Sequence, residues 1–172
     1  SLGFERREGL PVDFSKALFV RVIPKMSRTS YEIEFGKWEK VFAFLLNQGI
    51  ACVLLESEDS DELAEQLSYL QSQYPNFAKN MFCLAEGNTV GTLLNAVTDN
   101  QYIAVRCLVV INPTDEITQP EASTDTWFLG ILPNRGVNPS ILSSLINRVR
   151  LNRGSNFVYH SRLSGLIHQD SS

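Results

Sequence analysis

The sequence predicts an α/β fold, a three-layer sandwich on a mostly parallel sheet of five to six strands. Three observations carry this. Strand-sized apolar runs alternate with amphipathic helical stripes, in the order β-α-β-α-β-α-β-loop-β-α-β. The second run, Ile50–Leu55 (IACVLL), is apolar at every position. A strand of that kind needs cover on both faces, as strands inside a parallel sheet do. The connections are short, and parallel neighbours joined this way take right-handed crossovers that place helices on the sheet faces. The chain has 172 residues, 44% of them hydrophobic, which is material for one such core.

The elements follow in order. Residues 1–16 mix charge, Gly and Pro without a period and read as an N-terminal arm. Residues 17–168 read as a single domain and 169–172 as a C-terminal tail. Ala17–Pro24 (ALFVRVIP) is a strand of branched and aromatic residues ended by Pro24. Lys25–Gly36 is polar and reads as a loop. Lys37–Gln48 is a helix with Trp38, Val41, Phe42, Leu45 and Leu46 on one side, and Gly49 stands where a helix leaves through a left-handed residue. After the strand Ile50–Leu55, Asp59 or Ser60 caps a helix to Gln73 with Leu63, Leu67 and Leu70 as its stripe, and Pro75 closes it. Asn80–Ala85 is the next strand, Val90–Val97 a short apolar helix, Tyr102–Ile111 a strand and Thr126–Leu132 another. Thr114–Asp125 between the last two is the one sizeable loop. Asn138 caps a helix with Pro139 at its first position, and Gly154 closes it. Phe157–Tyr159 is the last strand core.

Composition narrows the function classes. The net charge of −4 argues against a general nucleic-acid binder, and no apolar run has the length of a membrane span. Cys52, Cys83 and Cys107 each sit in a strand-like run without CxxC spacing, so they read as buried hydrophobes rather than a disulfide framework or zinc site. The acids Glu56, Glu58, Asp59, Asp61 and Glu62 are mostly adjacent and suit a helix N-terminus better than a cation. Arg148, Arg150, Arg153 and Arg162 read as a solvated helix end, and Trp38 and Trp127 as core. No metal and no cofactor is expected. A protein partner is the one partner class left open, with the helix over Asn138–Arg153 as the element available to it. The chain opens on Ser, compatible with processing after export or with trimming, and the compartment stays open.

In open parallel sheets, chemistry sits beyond the carboxyl ends of the strands. The most informative of these ends is Ala85-Glu86-Gly87-Asn88-Thr89-Val90-Gly91, which joins a buried strand directly to an apolar helix. It lacks both the GxGxxG pattern and the Lys of a P-loop, so phosphate binding is disfavoured. Gly87 to Gly91 has the G-x-S-x-G spacing of a nucleophile elbow with Thr89 at the Ser position. The remaining reading is a tight turn with no chemistry.

On these residues the chain, from about Ala17 to His168, resembles the α/β-hydrolase family. Ala17–Pro24 is similar to the strand before that family's oxyanion loop, Glu86–Gly91 to its elbow, and Tyr102–Pro113 to the strand after the elbow helix. Phe128–Pro133 is similar to the strand that carries the acid, and Ser164–His168 lies at the place of the catalytic His. Within the superfamily the chain looks most like the uncharacterised bacterial DUF3530 proteins, whose elbow is often degenerate. The resemblance implies a reduced α/β-hydrolase-like fold with Thr89, His168 and Asp115 as catalytic candidates. Glu86, Gly87, Asn88, Val90 and Gly91 would form the elbow and oxyanion region.

Three departures oppose catalysis. An elbow nucleophile sits at φ > 0, where a β-branched residue is a steric outlier. A register two residues earlier puts Gly87 at the bend, which costs no strain and leaves no nucleophile. Pro24 stands in the oxyanion loop position (Ile23-Pro24-Lys25-Met26) and has no N–H to offer. Pro133-Asn134-Arg135 replaces the usual Asp, leaving Asp115 or Glu116 as substitutes. His168 is the one favourable residue, ahead of His160, which lies in the strand itself. Two functions are therefore weighed: a catalytically degenerate domain acting as a binding or scaffolding module, and a weak esterase or thioesterase using Thr89 and His168. A flavodoxin-like small-ligand binder would need a cleft lined by Trp or Tyr at the strand ends, which the sequence does not place.

Overall fold

A computed structural model describes residues 2–5, 17–76, 80–98, 103–117, 126–133, 135–151 and 156–159. The elements are β1 (Leu2–Glu5), β2 (Leu18–Ile23), α1 (Arg28–Asn47), β3 (Ala51–Glu56), α2 (Ser60–Gln73), β4 (Met81–Glu86), α3 (Thr89–Thr98), β5 (Cys107–Ile111), β6 (Trp127–Leu132), α4 (Pro139–Leu151) and β7 (Asn156–Tyr159). They form one seven-stranded sheet in the order β1-β3-β2-β4-β5-β6-β7. The strands from β2 to β7 pair in parallel, as the alternating pattern requires, and β1 is antiparallel to β3.

Strand order explains the layers. The chain leaves β2 for β3 in one direction, then crosses back over β2 to β4 and continues outward through β7. A right-handed crossover lays its helix on one face when the chain moves one way and on the other face when it moves back. So α1, the only helix that connects in the first direction, stands on one face, and α2, α3 and α4 stand on the other. The two cores follow. Leu18, Val20, Val53, Cys83, Leu108 and Phe128 pack under Leu63 and Leu67 of α2, Leu93 of α3 and Leu145 of α4. Cys52, Leu54, Leu84 and Ile131 pack under Trp38, Phe42 and Leu46 of α1. The contact of α4 with β6 is close enough to require glycine: a Cβ on Gly130 would stand 2.7 Å from Leu145 Cδ2.

The structure corrects the reading of the N-terminal half in two places. Residues 1–16 are not simply an arm, because Leu2–Glu5 is a strand. Its pairing with Leu55 to Cys52 covers an edge that the apolar β3 would otherwise expose. Four residues are too few to show a period. Lys25–Gly36 is not a loop, because α1 begins at Arg28. Ser27 is its N-cap and accepts from the Ser30 N–H at 3.2 Å. Tyr31, Phe35, Trp38 and Phe42 then recur at helical spacing, with Tyr31 and Phe35 stacked at 6.5 Å. Gly36, a poor helix residue, and the charged residues between the aromatics hid that stripe.

The other boundaries shift less. The strand expected over Tyr102–Ile111 is confined to Cys107–Ile111. Before it, Arg106 donates to Met81 O at 2.8 Å and accepts from Trp127 N at 2.9 Å, so this stretch enters the sheet through its last residue only. Tyr102 itself, like Gly154, lies outside the described residues. Asp59 caps α2 and accepts from Asp61 N at 2.9 Å, and Asn138 Oδ1 accepts from Ser140 N at 2.8 Å. Gly49 follows α1 at φ +77°. No helix among the described residues is long and apolar enough to cross a membrane.

Candidate functional site

Between β2 and β4 the direction of strand addition reverses, and crevices in open parallel sheets form at the carboxyl ends beside such a reversal. Here the exit of β4 into α3 faces the exit of β2 into α1. β4 ends at Glu86, the chain bends at Gly87, and Thr89 is the first residue of α3. The bend is pinned from two sides. Gly87 N–H donates to Ile111 O of β5 at 2.9 Å, and Gly87 O accepts from Val90 N at 3.3 Å.

Gly87 has φ +63°, in the left-handed region, and Thr89 is not among the residues of positive φ. A Cβ built on Gly87 meets no heavy atom within 4 Å, so the corner faces open space. Thr89 is only 4% exposed. Asn88, between them, is exposed and Gly91 half-buried. The corner that projects from the sheet is thus a residue without a side chain, and the hydroxyl two positions on is covered.

The loop after β5 is brought to this corner. Asn112 ends the strand at φ +45°, the one non-glycine residue of positive φ among those described, and its N–H donates to Ile131 O at 2.8 Å. Asn is among the residues that tolerate this backbone. The turn buries Pro113 and leaves Asp115 and Glu116 exposed. Ser144 Oγ of α4 accepts from Ile117 N at 2.9 Å and anchors the far end of the loop. Asp115 and Glu116 line a chamber with Gly87, Val90, Gly91 and Pro113 whose volume is about 20 Å³. That holds about one water molecule. Sites for small organic ligands are larger by an order of magnitude.

A buried charge on the α1 face of β2 was not anticipated. Arg21, on β2 beside Leu84 of β4, is 3% exposed. Its Nη2 donates to Glu34 Oε1 of α1 at 3.1 Å, its Nη1 donates to Val22 O, and its guanidinium lies 5.0 Å from the Trp38 ring centroid. Lys37 Nζ stands 3.8 Å from the other oxygen of Glu34. Burial lowers the Arg21 pKa, and the carboxylates of Glu86 and Glu34 oppose that shift. A single Arg in an apolar run gave no signal beyond its charge; the cue was Glu34 and Trp38 four residues apart on α1, hidden while that segment read in part as a loop.

The remaining expectations sort as follows. Pro24 does stand at the exit of β2, with Lys25 beyond it bridging to Glu62 at 3.0 Å, a contact that raises the Lys25 pKa. Burial raises the pKa of both the Cys83 and Cys107 thiols, which favours their protonated form. No group of His, Cys, Asp and Glu among the described residues is placed to hold a metal. Trp38 is core, as expected, but Trp127 is 54% exposed. It opens β6 on the α1 face of the sheet. His168, His160, Asn134, Arg153 and Arg162 lie outside the described residues.

Neither a family model nor a curated protein matches the chain. Solved structures do. An Agrobacterium tumefaciens protein of unknown function, a candidate alpha/beta hydrolase, superposes with a TM-score of 0.62 at 10% identity, over 92% of this chain and 78% of that one. The esterase domain of a Rhodothermus marinus protein gives 0.60 at 14% identity, over 99% and 93%. A Bacillus cereus carboxylesterase gives 0.63 at 10% identity, over 99% and 91%. The chain has an α/β-hydrolase-like fold. At these identities the likeness is one of architecture, and the chemistry of an α/β-hydrolase must be argued from the corner itself.

Proposed function

We propose that this α/β-hydrolase-like domain is catalytically degenerate and serves as a binding or scaffolding module, in keeping with the often degenerate elbow of the DUF3530 proteins it resembles. The observation that carries the proposal is the left-handed backbone at Gly87. An elbow presents its nucleophile at such a corner, and glycine presents none. Pro24, without an N–H, removes one source of oxyanion stabilisation at the facing strand end. The chamber beside the bend, about 20 Å³, holds about one water molecule and is no ligand pocket. Losing a single member of a nucleophile–base–acid triad already removes most of the rate.

The competing reading is a weak esterase or thioesterase with Thr89 as nucleophile, His168 as base and Asp115 or Glu116 orienting it. It draws support from the place of Asp115 beside the elbow and from the esterases of similar architecture. It requires the Thr89 hydroxyl to emerge from a position that is 4% exposed. The test is incubation with p-nitrophenyl esters and with a fluorophosphonate probe. The binding-module reading expects neither turnover nor labelling above that of heat-unfolded protein. Turnover or labelling that Thr89→Ala abolishes, in a variant that still unfolds cooperatively, would overturn it.

A further inference from the structure

We draw no further inference here: the strongest candidate, the half-open apolar face of the sheet where β4, β5 and β6 present Phe82, Val109, Trp127 and Leu129 beyond the edge of α1, carries none because nothing among the described residues shows what covers it.

Discussion

Replacing Gly87 with alanine isolates the strain at the corner from every other effect. The new Cβ meets no heavy atom within 4 Å, so no packing cost enters. What remains is backbone. A left-handed conformation costs a residue with a Cβ about 1–2 kcal/mol. Against this, alanine narrows the unfolded ensemble relative to glycine, which returns about 0.4–1 kcal/mol. The net expectation is a loss of roughly 1 kcal/mol, read as a lower urea midpoint at unchanged m-value. Gly87→Asn is expected to lose less, because asparagine visits this region more readily. Thr89→Gly supplies the contrast. If the bend were at Thr89, glycine there would relieve strain and stabilise. With Thr89 opening α3, the same change puts the most flexible residue into a helix and is expected to destabilise. A stabilised Gly87→Ala together with a stabilised Thr89→Gly would refute the register on which the functional reading stands.

Three further outcomes follow from the packing and the charges. Gly130→Ala places a Cβ 2.7 Å from Leu145 Cδ2 in a side chain that is fully buried, and the overpacking is expected to cost about 1–3 kcal/mol in urea unfolding; Leu145→Ala in the same chain should reduce that cost, measured as a double-mutant cycle. Arg21→Ala leaves Glu34 without its 3.1 Å partner and empties a core position, for an expected loss of about 3 kcal/mol, whereas Arg21→Met paired with Glu34→Gln should recover most of it; equal loss in both variants would mean that the uncompensated Glu34 charge is not what costs stability. The Cys83 pKa is raised in the fold, so the folded state retains a proton that the unfolded chain gives up. The sign is then fixed: this contribution is complete below the unfolded thiol pKa and is lost as pH rises above about 9, at up to roughly 1.4 kcal/mol per pH unit. Cys83→Ala should flatten the fall of stability with pH in that range, and an unchanged slope would show that the thiol is not protected.

Much of the fold was legible because its signals are dense and local. Ile50–Leu55 could only be a strand covered on both faces, and β3 is buried from Ala51 to Leu55. Asp59, Asn138 and Gly49 marked helix ends through their own side-chain or backbone chemistry, and each stands at one. The failures have the opposite character. Leu2–Glu5 becomes a strand by pairing with Leu55 to Cys52, some fifty positions away, and no window around it contains that information. The first turns of α1 are held by packing of Tyr31 and Phe35 rather than by helix propensity, which Gly36 depresses. Trp127 read as core because it lies in a strand; its exposure depends on which face it takes and where α1 stands over that face, and that depends on strand order.

The candidate site divides along the same line. What the corner carries could be argued from two neighbouring residues, since the steric difference between glycine and a β-branched residue at positive φ does not depend on the rest of the chain. What surrounds the corner could not. The strand exits carrying Pro24, Gly87 and Asp115 are neighbours only because the order β3-β2-β4 turns the chain back across β2, placing the exits of β2 and β4 side by side and β5 next in line. A linear reading cannot distinguish that order from β2-β3-β4, in which β3 would stand between the exits of β2 and β4. The same reversal puts α1 on the face opposite α2, α3 and α4 and seats Arg21 under it, between Glu34 and Trp38. One topological choice thus locates the crevice, while the chemistry at its corner rests on the absence of a side chain from Gly87.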